Sequence, residues 1–222
     1  MAPRRKTAIR KDRAEVLNIL RHRIIEGRYL PGNKLIENDL VDEFGISRQM
    51  ARELLHDLES RGLVEKEPNK GITIRRIDIK TLFEIMELRE VIEGLAARLA
   101  THKTTEADWQ DLVEAFGARM DAIIRKNDFE GYIALVNQLQ ERLLRAAANH
   151  ELEIVADRIY AKMRIVQRRL ILLPGRLQAG VKEHREVLQA VVSGDPEKAE
   201  IAKRKNIRSA MNTLEKFKDW VL

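Results

Sequence analysis

The sequence predicts a mainly α-helical protein in two parts, an N-terminal winged helix-turn-helix with a small β-hairpin joined to an all-helical antiparallel bundle. Three observations carry that prediction. Hydrophobic residues make up 44% of the 222 residues but aromatics only 5%, so the core is built from Leu, Ile, Val and Ala. The 5 prolines and 11 glycines are few, and most fall between long helical patterns, as expected of a nearly all-helical chain. Only one stretch, around residues 63–75, shows short alternating runs about a turn, the pattern of a hairpin.

The elements follow in order. A basic, flexible N-terminus over 1–11 lacks an apolar core segment and so is not a secretion signal. Residues 12–26 form a helix with Ala14, Leu17, Ile19, Leu20, Ile24 and Ile25 in helical recurrence, ending at Gly27. Pro31-Gly32 is a turn signal, since Pro fixes one backbone angle and Gly accepts a positive one. A second helix over 37–44 turns Leu40, Val41 and Phe44 inward. Gly45 then closes it in the left-handed conformation, and Ser47 N-caps the next helix. On that helix, 47–60, Ala51, Leu54, Leu55 and Leu58 make the buried stripe, while Arg48, Gln49 and Arg52 share the opposite face. Leu63–Glu67 and Ile72–Arg75 flank the turn Pro68-Asn69-Lys70-Gly71 as the two arms of the hairpin.

A seam falls at residue 77, giving a first domain over 12–77 and a second over 78–222. In the second, helical patterns run over 79–100, 105–126, 128–148, 151–172, 177–193 and 196–219. Asp195-Pro196-Glu197 is a complete helix start: an N-cap, Pro at the first helical position, and acidic charge at the positive end of the dipole. A helical domain of this size has room for a pocket between its helices.

Charge and composition narrow the function. Up to Arg76 there are 17 Lys and Arg against 12 Asp and Glu, whereas the rest of the chain is nearly balanced. A polyanionic partner is therefore favoured by the first part. The chain has no cysteine, which excludes disulfides and thiolate chemistry. No segment supplies the roughly 18 uncharged apolar residues of a membrane span. Nucleophile elbows, glycine-rich nucleotide loops and other catalytic motifs are missing, so an enzyme is not expected.

These residues carry a resemblance. Ile24-Ile25-Glu26-Gly27-Arg28-Tyr29-Leu30-Pro31-Gly32, Leu35, Ser47-Arg48-Gln49-Met50-Ala51-Arg52-Glu53-Leu54, Leu58-Glu59-Ser60-Arg61-Gly62-Leu63-Val64 and the wing tip Pro68-Asn69-Lys70-Gly71 resemble the GntR family of transcription regulators. In the second part Glu87–Glu93, Asn149, Glu183-His184-Arg185 and Gly194–Ala199 resemble the FCD effector domain of its FadR-like branch. The resemblance implies a cytoplasmic homodimer that binds palindromic double-stranded operator DNA and releases it on binding a small organic acid. Ser47, Arg48, Gln49, Arg52, Lys70 and Gly71 are the expected DNA contacts. Arg48 has the geometry for guanine O6 and N7, Arg52 for a second guanine or a phosphate, and Ser47 for a phosphate. Where relatives commonly carry Thr and Pro, this chain has Gln49 and Met50.

The same resemblance places ligand contacts at Arg89, Gln140, Asn149, His184 and Asn206. Arg89 is read as a fork for a ligand carboxylate, with a salt bridge to Glu93 or Glu90 as the alternative. His184 lies on the stripe Leu177, Val181, Leu188, Val191 and is either a pocket residue or a satisfied core histidine. Many relatives hold a divalent metal through one Asp and three His, but those positions here are Val136, Gln140, His184 and Asn206. Only one of them is a strong ligand, so no metal or other cofactor is expected. The function expected is a repressor relieved by a small carboxylic acid. The alternatives are a DNA-binding architectural protein whose helical part only dimerises, and a transcription activator.

Overall fold

In a computed structural model the chain divides between Ile77 and Asp78 into two compact units. Residues 12–25, 28–68 and 70–220 are described; the basic stretch 1–11, the helix stop at Gly27 and the wing residue Asn69 lie outside them.

The first unit contains α1 (Arg13–Ile25), α2 (Glu37–Phe44) and α3 (Arg48–Ser60), followed by β1 (Val64–Glu67) and β2 (Gly71–Ile74). Gly45 closes α2 in the left-handed region at φ 64, its N–H bonded to the Val41 carbonyl. Two residues later Ser47 Oγ accepts the Met50 N–H at 3.1 Å and starts α3. The helix-turn-helix thus comes from one glycine and one cap, at the positions the local chemistry indicates. Ala51, Leu54, Leu55 and Leu58 are all buried. In α1 the buried stripe is Val16, Leu20 and Ile24, and Ala14 is exposed. That corrects the expectation for Ala14, because the i, i+4, i+8 row of large aliphatics fills the groove better than a row containing a methyl. The hairpin is antiparallel, with Val64 opposite Ile74 and Glu67 opposite Gly71.

The second unit is helical: α4 (Ile79–Lys103), α5 (Gln110–Glu114), α6 (Met120–Arg125), α7 (Phe129–Ala147), α8 (His150–Ile171), α9 (Arg176–Val192) and α10 (Pro196–Lys216). Asp78, Asp128, Asn149 and Asp195 each cap the helix that follows by accepting a backbone N–H. α4 packs against α7, α8, α9 and α10. Trp109, Phe116, Met120, Leu139, Leu143 and Val187 lie in one core cluster of this unit.

One expectation fails. Residues 105–126 are not one helix: a 3-10 turn (Glu106–Trp109) leads into α5, then a π-helical stretch (Ala115–Arg119), then α6. At Gly117 the backbone leaves the helical region, with φ −82 and ψ −118. The freed carbonyls find partners across the bundle. Arg185 donates through Nε to the Phe116 oxygen at 2.7 Å and through Nη2 to the Gly117 oxygen at 3.3 Å and to Asp121 Oδ1 at 2.6 Å. A side chain 64 to 69 residues away thus satisfies what the break exposes.

Candidate DNA-binding face and ligand cavity

α3 presents Arg48, Gln49 and Arg52 to solvent on the face opposite its buried stripe. Two of the three are tethered to acids of the same unit. Arg52 Nε donates to Glu37 at 2.9 Å and Gln49 Nε2 to Glu53 at 3.1 Å. Arg48, at the first turn, has no ion-pair partner among the described residues. On the hairpin Lys70 Nζ lies 2.5 Å from Glu67 Oε2. Gly71 sits at φ +85 with open space where a Cβ would be, so backbone there is accessible to a phosphate. Ser47 spends a lone pair on its cap and keeps its O–H as a donor.

Between the helices of the second unit lies a cavity of about 100 Å³. Arg89, Gln140, His184 and Asn206 all line it, together with Arg176 and Tyr160. Asn149 does not line it; its side chain caps α8 by accepting the Leu152 N–H at 3.1 Å. A helix cap needs that acceptor at the end of the helix, away from the space between helices.

Behind the cavity wall is a buried ionic cluster. Glu93, 2% exposed, receives Arg89 Nε at 2.7 Å, Lys203 Nζ at 2.9 Å and Gln140 Nε2 at 3.3 Å. Burial by itself would raise the Glu93 pKa, but the Arg89 and Lys203 cations outweigh it and hold the carboxyl at about 2. Glu183 is bound by Arg176 through two nitrogens at 3.1 and 2.7 Å, by Asn206 Nδ2 at 2.8 Å and by Ser209 Oγ at 2.5 Å. Among the described residues Arg89, Arg176 and Lys203 thus face two carboxylates, Glu93 and Glu183, a formal excess of one positive charge. The other two charged residues that line the cavity, Arg164 and Glu141, cancel each other formally.

His184 sits among these groups, buried, and its Nδ1 has no hydrogen-bond partner among the described residues. Burial, then the nearby Lys203, Arg176 and Arg89 cations, push its pKa well below the usual imidazole range, so the ring is neutral. Phe116 and Tyr132 flank it, with ring centroids at 6.0 and 6.4 Å. A Cβ at Gly180 would run into the Tyr132 hydroxyl, and glycine there lets that ring lie against α9. Burial raises the Tyr132 phenol to about 12 and, with the Glu93 carboxylate, the Tyr160 phenol well above its ordinary value. Both phenols remain protonated donors.

These residues do not fit a divalent metal. Val136 is apolar, Gln140 and Asn206 turn their amide nitrogens to Glu93 and Glu183, and only His184 could ligate. Three buried cations around one imidazole repel a metal ion instead of coordinating it. No cluster of three or more His, Cys, Asp or Glu suited to a metal occurs among the described residues.

Four of the five sequence-based ligand candidates thus line one cavity, and Arg89 makes the salt bridge to Glu93 that was the alternative to its role as a carboxylate fork. The Arg89–Glu93 pair was legible as that alternative, whereas Arg176, Glu183 and Lys203 were not singled out from the sequence. Their signal was present in helical spacing. Arg176 and Glu183 are two turns apart on α9, and Lys203 lies one turn from Ala199 and Asn206 on the inward stripe of α10.

Comparison with known proteins agrees with both halves. Residues 13–74 match the model of "Bacterial regulatory proteins, gntR family" and residues 84–209 that of the "FCD domain". The HTH-type transcriptional regulator LutR of Bacillus subtilis is 26% identical over 86% of this chain and 95% of its own length. A probable D-xylose utilization operon transcriptional repressor of Paenarthrobacter nicotinovorans is 28% identical, over 85% of this chain and 82% of its own. Among solved structures, E. coli McbR/YncC superposes with a TM-score of 0.77 at 22% identity, covering 92% of this chain and 97% of that one, which speaks for the fold.

Proposed function

We propose, from the premise that this chain belongs to the GntR family of bacterial regulatory proteins and is a DNA-binding transcriptional regulator with an FCD domain, that it is a cytoplasmic repressor released from its operator by a small carboxylic acid. It binds double-stranded DNA as a homodimer on a dyad site, with half-sites centred about one helical turn, roughly 34 Å, apart. Arg48 reads guanine, Arg52 a second guanine or a phosphate, Gln49 an adenine edge or the backbone. Ser47, Lys70 and the Gly71 backbone hold phosphates. The Glu37 and Glu67 carboxylates that neutralise Arg52 and Lys70 in the free protein are exchanged for phosphates, which makes affinity fall steeply with salt.

The observation that carries the ligand is the surplus positive charge at the cavity wall beside a neutral, unpartnered His184. A carboxylate supplies the missing anion to Arg89 and Arg176, and a hydroxyl or protonated donor on the same molecule meets the free imidazole nitrogen. The cavity binds its ligand and performs no chemistry on it. The bound state disfavours operator binding, by the linkage that any ligand with unequal affinity for two states imposes. That the P. nicotinovorans relative is a probable repressor supports the sign; a purely architectural role leaves the cavity and its charge without a use.

The test is a thermal-shift screen of small monocarboxylic and hydroxy acids against wild type and Arg89→Ala. An acid that stabilises the wild type is expected to do so in proportion to its occupancy, to weaken operator binding, and to have no effect on Arg89→Ala, whose ligand-free DNA affinity is unchanged. Full stabilisation of Arg89→Ala by the same acid overturns the assignment.

A further inference from the structure

α4 carries a face that none of its neighbours covers. Leu88, Val91 and Leu95 are 55%, 51% and 39% exposed. Glu84 precedes them and Arg98 follows, both exposed. The spacing 84, 88, 91, 95, 98 alternates four and three residues, the seam of a helix that pairs with another helix. The rest of α4 is spent on the bundle. Glu90 is tied to α10 through Arg208. A Cβ at Gly94 would collide with Arg204 of the same helix, and Met86, Glu93 and Ala97 are buried. Three aliphatics in a row at two-turn reach are therefore left uncovered by the described residues of the chain.

The order of residues on this face says what covers it. About a two-fold axis at Val91, an antiparallel copy of the helix sets Leu88 against Leu95 of the partner subunit, Val91 against its own counterpart, and Glu84 against the partner's Arg98. A parallel copy would instead set Glu84 against the partner's Glu84 and like against like at the other end, which is repulsive. The present contacts of the two end charges are exposed and loose, Lys80 to Glu84 at 3.8 Å and Arg98 to Glu200 at 3.5 Å. Such pairs contribute little, and Glu200 keeps Arg204 at 3.1 Å if Arg98 leaves. A surface complementary to itself under a two-fold rotation fits a second copy of the same chain.

We infer that the exposed face of α4, from Glu84 to Arg98, is the seam through which two copies of this chain pair antiparallel in the dimer. The inference rests on the dimeric reading given above and adds the face and its register. The two leucines that meet across the axis give the test. Leu88→Lys puts an ammonium against Leu95 of the partner, and Leu95→Glu puts a carboxylate against the partner's Leu88. Together they form two new ion pairs across the axis, and only if the helices run antiparallel.

The experiment is sedimentation equilibrium of the full chain over a wide concentration range, with helical circular dichroism and tryptophan fluorescence as checks of folding. Wild type is expected to be a dimer. Val91→Asp, Leu88→Lys and Leu95→Glu should each be folded and raise the dimer dissociation constant by about 100-fold or more, as loss of central apolar contacts does. The combination Leu88→Lys with Leu95→Glu should recover to within about 10-fold of wild type. A folded Val91→Asp chain that dimerises as tightly as wild type removes the face from the interface. A double variant no better than either single one overturns the antiparallel register. A wild type that is monomeric throughout overturns the dimeric reading itself, a different result from either.

Discussion

Replacing Glu93 by Gln removes a single negative charge from the buried cluster and nearly nothing from its volume. The consequence follows from the titration of the carboxyl. Its pKa is about 2 in the folded protein against an ordinary 4.5, and each unit of difference is worth about 1.4 kcal/mol. Ionised Glu93 therefore contributes about 3 kcal/mol at neutral pH. That agrees with the roughly 3–5 kcal/mol lost when one partner of a buried ion pair is removed. For a helical unit of this size each kcal/mol moves the midpoint by about 4 °C, so Glu93→Gln should melt roughly 10–15 °C lower at pH 7. Because the folded pKa is depressed, the contribution is complete above the unfolded value of 4.5 and is lost as pH falls toward 2. The gap between wild type and variant should narrow to about 1 kcal/mol near pH 3. Both tryptophans, Trp109 and Trp220, lie in the second unit, so urea unfolding followed by tryptophan fluorescence reports that unit alone. A gap that stays constant from pH 7 to 3, or no gap at pH 7, would refute the claim that Glu93 is the ionised anchor of Arg89 and Lys203.

Three further outcomes are expected. Arg48→Ala should cost about 1–3 kcal/mol on a specific operator and far less on random duplex, whereas Lys70→Ala should weaken both alike and reduce the salt slope by about one; gel-shift titrations at several salt concentrations separate the two. Arg185→Ala strips donors from the Phe116 and Gly117 carbonyls and should destabilise the helical unit by about 1–3 kcal/mol, with faster amide exchange confined to the segment around Gly117. His184 is held neutral by burial and by its cationic neighbours, so carboxylate binding should show no inflection near pH 6.5. A step there would mean that the imidazole titrates in the cavity.

What the sequence determined by itself was whatever is encoded within one or two turns of chain. Gly45 and Ser47 set the helix-turn-helix, Asp195 and Pro196 start the last helix, and the Ala51, Leu54, Leu55, Leu58 stripe fixes which side of α3 faces solvent with Arg48 and Arg52. Caps and stripes are local free energies, a few bonds and one apolar face, and they read from spacing alone. The tertiary structure decided matters that depend on neighbours distant in the chain. It chose Val16 over Ala14 in α1, and it turned Asn149 from a ligand contact into a helix cap. It broke the 105–126 helix at Gly117, where Arg185 donates hydrogen bonds to the freed carbonyls. Most of all it brought Arg89 and Glu93 on α4, Arg176, Glu183 and His184 on α9, and Lys203 and Asn206 on α10 to one wall. Each of those side chains, taken in its own helix, is an ordinary charge or amide. Only their convergence in a medium that screens poorly makes a carboxylate stay ionised, an imidazole stay neutral, and one positive charge remain to be matched.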